Sequence, residues 1–234
     1  SLIRLSQKKY GRGTEKIFAE YIDKFCDGKI PPSWPEILST KMNYKLRNFG
    51  YGGASNYFIL QSFLMNLRKI KKDDVVIIQW TDISRFRMSF KDGTNEFLVD
   101  ITQGGYNKNV LNRHISNVET IHNIFYNRMS YAWEKEIFEW NEFLTHLANR
   151  IGFKLYFWTW ANIEGSRYFD IYKNSKKYWM SNILRKVQDT YRDDKNDKTK
   201  IQGHSNGEIN DSHLSKIGHE ILAETMYQHI KKNE

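Results

Sequence analysis

The sequence predicts an α/β fold, a three-layer α/β/α sandwich of helices around a parallel sheet, and three observations carry that prediction. Val75–Trp80 is a continuous apolar run rich in β-branched residues, as a strand covered on both faces requires. Residues 57–70 repeat apolar side chains at threes and fours through Phe58, Leu60, Phe63, Leu64, Leu67 and Ile70, the period of an amphipathic helix. Strand-like and helix-like segments then alternate, and such alternation gives parallel strands joined by right-handed crossovers.

In order along the chain, residues 2–5 form a possible first short strand, although Arg4 suits the centre of a sheet poorly. Residues 14–25 read as a helix or a long excursion, followed by turns at Asp27-Gly28 and Pro31-Pro32. Ser33 can cap the next helix with Glu36 completing a capping box, and Trp34, Ile37 and Leu38 supply its apolar face. Residues 45–48 read as a short strand and Asp73-Asp74 as a turn. Residues 83–115 read as an irregular insertion over one end of the sheet, with turns at Gly93 and Gly104-Gly105. Two helices are expected at 116–126 and 130–151, the second with Trp133, Ile137, Trp140, Leu144 and Leu147 on one side and Gly152 ending it. A strand at 154–160, a polar, aromatic-spiked insertion at 161–210 and a last helix from 214 to about 230 complete the pattern. No internal repeat is visible.

Composition bounds the possibilities. The chain has 234 residues and no Pro/Ser/Gly-rich linker, which predicts a single domain with insertions at about 83–115 and 161–210. Apolar residues make up 40% and charged residues 27%, a globular balance. No apolar stretch approaches the roughly 20 residues that span a bilayer, and the N-terminal residues carry no secretory pattern, so a soluble, cytoplasmic protein is expected. Cys26 stands alone, which excludes an internal disulfide and a multi-thiolate zinc site; it reads as a structural thiol. The formal charge of +9 suits an anionic partner. The basic residues are nevertheless scattered or interleaved with acids, as in Arg192-Asp193-Asp194-Lys195-Asn196-Asp197-Lys198, so nucleic acid is not the expected partner.

Ligands of parallel sheets bind beyond the carboxyl ends of the strands, which singles out three segments. Asn48-Phe49-Gly50-Tyr51-Gly52-Gly53-Ala54-Ser55-Asn56 precedes a strong helix, where glycines let backbone amides approach a ligand. Gln79-Trp80-Thr81-Asp82-Ile83-Ser84-Arg85 closes the surest strand. Asp211-Ser212-His213-Leu214-Ser215-Lys216-Ile217-Gly218-His219 leads into the last helix, and a histidine beside a carboxylate there suits general-base work. Taken singly, each has an ordinary reading: a turn, a helix cap, a surface histidine.

Their order and contexts resemble the SGNH (GDSL-like) hydrolase family, in a divergent bacterial and phage-type form. The resemblance covers about residues 33–85, from Ser33-Trp34-Pro35 through the Asn-x-Gly-x-x-Gly segment to Arg85, and residues 211–230. It implies a flavodoxin-like sheet and a serine esterase that needs neither cofactor nor metal, acting on a glycan ester or another acylated small substrate. By position, Gly53 and Thr81 would form the oxyanion hole, and His213 would be the base, oriented by Asp211. The chain departs from the family in three places. Thr81 stands where an asparagine is usual. The Asp-x-His spacing is one residue short of the usual Asp-x-x-His, which leaves Asn210 as an alternative orienter. No Gly-Asp-Ser is present, and the nearest counterpart is Arg4-Leu5-Ser6, so either Ser6 is a displaced nucleophile, the block has decayed, or its residues lie outside this chain. Ser55 and Ser84 are weaker candidates, Ser55 as a helix cap. The alternatives to an esterase are an acyltransferase acting on a sugar hydroxyl and an inactive domain binding glycan or an anion. His219 reads as a packing or capping group. Trp158, Trp160, Tyr168, Phe169, Tyr172, Tyr178 and Trp179 read equally as a sugar-stacking platform or as core.

Overall fold

The structure is a computed structural model that describes residues 13–50, 54–81, 86–92, 95–101, 118–159, 166–180, 183, 200 and 214–233. The helices in chain order are α1 (Gly13–Phe25), α2 (Trp34–Lys41), α3 (Asn56–Asn66, continued by the 3-10 turn Leu67–Lys69), α4 (Val118–Ile151), α5 (Arg167–Ile171), α6 (Lys173–Lys176) and α7 (Lys216–Lys232). The strands are β1 (Val75–Trp80), β2 (Phe86–Asp92), β3 (Asn95–Ile101) and β4 (Lys154–Thr159). The chain divides into two compact units, Gly53–Ser181 and Ser1–Gly52 with Asn182–Glu234.

The Gly53–Ser181 unit is built on parallel strands. β1 and β4 pair in parallel from Val75 opposite Lys154 to Trp80 opposite Thr159. Beyond β4 a further parallel rung joins Phe157 to Trp179, where the Phe157 N–H donates to the Tyr178 carbonyl and the Met180 N–H to the Phe157 carbonyl, both at 2.8 Å. The mixed α/β character is therefore present, with parallel order. Among the described residues β4, and not β1, is the strand buried on both faces: Leu155, Tyr156, Phe157 and Trp158 are all buried, while β1 buries only Ile78 and Trp80. Each large apolar side chain so buried contributes roughly 1.5–3 kcal/mol.

Several elements differ from the sequence reading. The stretch read as irregular contains an antiparallel hairpin, with β2 paired to β3 from Phe86–Ile101 to Asp92–Asn95 and β2 lying against α3. The two helices expected at 116–126 and 130–151 are one, α4, 34 residues long and so about 50 Å from end to end. Ser130 falls inside it, because a serine costs a helix only a few tenths of a kcal/mol where no glycine or proline breaks the pattern. Residues 45–48 form no strand: Asn43 to Gly50 are exposed, so the segment has no buried face to pack on a sheet. Within the 161–210 stretch, residues 166–180 are integral to the sheet rather than inserted beside it. They supply α5, α6 and the Trp179 rung, and Tyr168, Phe169 and Trp179 join the core. Residues 2–5 lie outside the described residues.

Gly152 ends α4 at φ +88°, with its N–H donating to the Ala148 carbonyl at 2.7 Å, and its own carbonyl receives the Asp73 N–H at 2.9 Å. A Cβ there would also stand 3.1 Å from Lys72 Cγ. Gly152→Ala is expected to destabilise by roughly 1–2 kcal/mol, the cost of a left-handed backbone for a residue with a side chain, measured as a lower urea midpoint. An unchanged midpoint would mean that this junction relaxes freely.

In the other unit α7 packs on α2, with Lys41 meeting Glu224 at 2.6 Å, and α7 buries Leu222, Ala223, Met226 and Ile230 completely. Ser33 caps α2 in the expected box: the Glu36 carboxylate accepts from the Ser33 N–H at 2.8 Å and from its hydroxyl at 2.7 Å. His219 joins the same helix start, its Nδ1 accepting the Trp34 N–H at 3.3 Å, which agrees with a capping role. Tyr21, Ile22 and Cys26 form a small core, and burial pushes the Cys26 thiol above its ordinary pKa, as befits a structural rather than a reactive cysteine.

Candidate functional site

Among the predicted site residues, Thr81 lies within the described part of the chain, whereas Ser6, Gly53, Asp211 and His213 lie outside it. The surroundings of Thr81 can be built from the residues upward. Trp80, the last residue of β1, is buried between Phe157 and Trp140, with ring centroids 6.4 and 6.0 Å away. Its indole N–H donates to Asn141 Oδ1 of α4 at 2.9 Å, a hydrogen bond out of reach of water. The carboxyl end of β1 is thereby fixed from the helix side. Thr81 follows immediately at the edge of the sheet, where ligands of parallel sheets are held.

The second constraint comes from α3. Ser55 caps that helix, its hydroxyl accepting the Phe58 N–H at 3.3 Å, as its position predicts. Asn56, the next residue, is only 5% exposed and turns its side-chain amide to the Thr81 backbone. Asn56 Oδ1 accepts the Thr81 N–H at 2.8 Å and Asn56 Nδ2 donates to the Thr81 carbonyl at 3.2 Å. The loop after β1 and the start of α3 are thus clamped together by a two-point amide pair. Both main-chain polar groups of Thr81 are engaged by Asn56, so the hydroxyl is the group this residue can offer a ligand.

Sequence reasoning missed both asparagines, although each left a signal. Asn56 is polar at the head of a helix whose next turn, Tyr57 to Leu60, is apolar or aromatic, one residue after its cap. Asn141 occupies a core position of α4, between Ile137 and Leu144, where an apolar residue would satisfy the helical period. Asn56→Leu removes both partners of the Thr81 backbone, and a buried group left unpaired costs about 1–3 kcal/mol. The expected loss is about 2–4 kcal/mol in urea unfolding, together with a marked fall in any activity that depends on Thr81. A stability change below about 0.5 kcal/mol would show that water replaces the clamp.

The start of α7, just after Asp211 and His213 in sequence, is also well tied. Leu214 and Ser215 are buried. The Ser215 hydroxyl accepts the Gly218 N–H at 3.1 Å, and the Tyr21 hydroxyl accepts the Lys216 N–H at 2.9 Å. Two of the amides that begin this helix therefore have side-chain partners.

Of the aromatic residues read as either platform or core, four are core and two more pack beside it. Trp158, Tyr168, Phe169 and Trp179 are buried, and Tyr172 and Tyr178 pack against the same cluster with their hydroxyls bonded to Glu139 at 3.2 Å and Asn149 at 3.0 Å. Trp160 lies outside the described residues. Faces packed against other rings cannot also stack on a sugar. Among the described residues no cluster of three or more His, Cys, Asp or Glu is placed to hold a metal ion, and no helix is long and apolar enough to cross a membrane.

Compared with family models, curated proteins and solved structures, the chain matches none.

Proposed function

We propose that the chain is an SGNH-type serine esterase, a three-layer α/β/α sandwich with a flavodoxin-like sheet that removes acyl groups from a glycan or another acylated small molecule. The observation that carries this reading is the Asn56–Thr81 clamp. It ties the loop after β1 to the helix that follows Gly53, and these are the two segments from which the resemblance draws the oxyanion hole. The parallel pairing of β1 with β4, continued by the Trp179 rung, supports the reading as part of such a sheet.

In this mechanism the Ser6 hydroxyl attacks the acyl carbonyl carbon while His213 takes its proton, with Asp211 orienting the imidazole. Negative charge on the carbonyl oxygen is met by the Gly53 N–H and the Thr81 hydroxyl. Collapse of the tetrahedral intermediate expels the alcohol, which leaves with the proton from His213. Water, deprotonated by the same imidazole, then attacks the acyl-serine and releases the carboxylic acid.

The test is hydrolysis of p-nitrophenyl acetate with and without a serine-directed phosphonate, followed by mass mapping of the labelled peptide. Turnover blocked by a single label on Ser6 is the expected result. A label on another serine moves the nucleophile, and the absence of both turnover and label overturns the enzyme reading. Adding a glycan acceptor and assaying for acyl transfer separates hydrolase from transferase.

A further inference from the structure

The carboxyl edge of the parallel strands carries the candidate site, and the opposite edge carries a different chemistry. Each strand there begins beside basic residues. Arg68, Lys69, Lys71 and Lys72 precede β1, Arg150 precedes β4, and Lys177 precedes the Trp179 rung; all six are exposed. Three contacts bring these connections together. Asp73 N–H donates to the Gly152 carbonyl at 2.9 Å, Lys154 N–H to the Asp74 carbonyl at 2.8 Å, and the Tyr178 hydroxyl to Asn149 Oδ1 at 3.0 Å. The carboxylates on the connections that lead into β1 and β4 are Asp73 and Asp74, so the edge is strongly cationic. It lies about 20 Å from Thr81, the length of a six-residue strand.

The apolar neighbours of this edge indicate its partner. Leu64 and Met65, in the last turn of α3, are 42% and 72% exposed, and Arg68 and Lys69 follow them at helical spacing. Exposed aliphatic side chains rimmed by lysine and arginine suit the boundary between headgroups and acyl chains of an anionic bilayer. A surface that follows single-stranded nucleic acid presents open aromatic faces among its cations, whereas the Tyr178 ring is half-buried, already has Lys177 Nζ 4.8 Å over it and holds its hydroxyl on Asn149.

We infer that the amino edge of the β1–β4 sheet, together with Leu64 and Met65, is a docking surface for an anionic phospholipid membrane. It would hold the protein peripherally. Because the surface is defined without reference to Ser6 or His213, it stands or falls independently of the esterase reading.

The test is co-sedimentation of the full chain with phosphatidylcholine vesicles and with the same vesicles carrying phosphatidylglycerol, at low and at raised salt. Binding to the anionic vesicles alone, weakened by salt, is the expected result. Each cation near an anionic surface is worth about fivefold in partitioning, so Arg68→Gln with Lys71→Gln should lower it about 25-fold. Met65→Ser should lower it several-fold at unchanged charge. No vesicle binding, or equal binding to neutral and anionic vesicles, overturns the inference. So does salt-sensitive capture of a single-stranded oligonucleotide by a protein that ignores vesicles.

Discussion

His213→Ala should lower kcat/KM for an ester substrate by about 10⁴-fold or more, and Ser6→Ala should do the same without the two losses adding. The reason is mechanistic coupling. A serine hydroxyl is a poor nucleophile at neutral pH, and it becomes competent only when an imidazole can take its proton as the bond to carbon forms. Removing either partner removes the same step, so the double variant should fall no further than the singles. About 10⁴ in rate corresponds to roughly 5.5 kcal/mol of transition-state stabilisation. The remaining turnover over water would come from oxyanion donors and substrate positioning alone. Single-turnover and steady-state measurements on p-nitrophenyl acetate check the pattern. Rates within tenfold of the parent for His213→Ala would exclude it as the base, and additive losses would separate Ser6 from it.

How much of this architecture was legible in the sequence depended on whether a signal was local. Val75–Trp80 was readable to the residue because a β-branched apolar run bounded by Asp73-Asp74 has few other uses. The Ser33–Glu36 box and the Ser55 cap were readable because both partners lie within one helical turn. The β2–β3 hairpin also had a local signal, Phe86, Met88 and Phe90 alternating with polar residues before Asp92-Gly93, but the abundance of charge around it obscured the period of two. The Trp179 rung left nothing local to read: a parallel bridge to Phe157 is fixed by partners more than twenty residues apart. The candidate site divides in the same way. Thr81 is found by its place after a strand. The Asn56 side chain that holds it acts across 25 residues, and nothing in a single sequence says which backbone a buried amide will meet.

The choice between core and sugar platform for the aromatic segment leads to the largest stability change expected for one substitution. Phe138 of α4 is 1% exposed. It stacks on Tyr172 at 6.2 Å and 10°, meets Phe169 edge-on at 6.3 Å, and lies 5.9 Å from Trp179 and 6.4 Å from Tyr168. Phe138→Ala removes the ring at the centre of that cluster. Its neighbours are held on α5, at the junction of α5 with α6 and on the rung beside β4, so they have little freedom to close the gap, and the cost should lie in the range of about 3–5 kcal/mol for aromatic-to-alanine changes in cores. For a chain of this size that is a fall of roughly 6–20 °C in Tm. Phe138→Leu, which keeps most of the volume, should lose less. The same measurement in the presence of soluble glycans distinguishes the two roles, because a core is indifferent to sugar whereas a stacking platform is protected by it. A loss under about 1 kcal/mol, or a Tm that rises with added glycan in the parent and not in Phe138→Ala, would return these rings to the surface and to ligand binding.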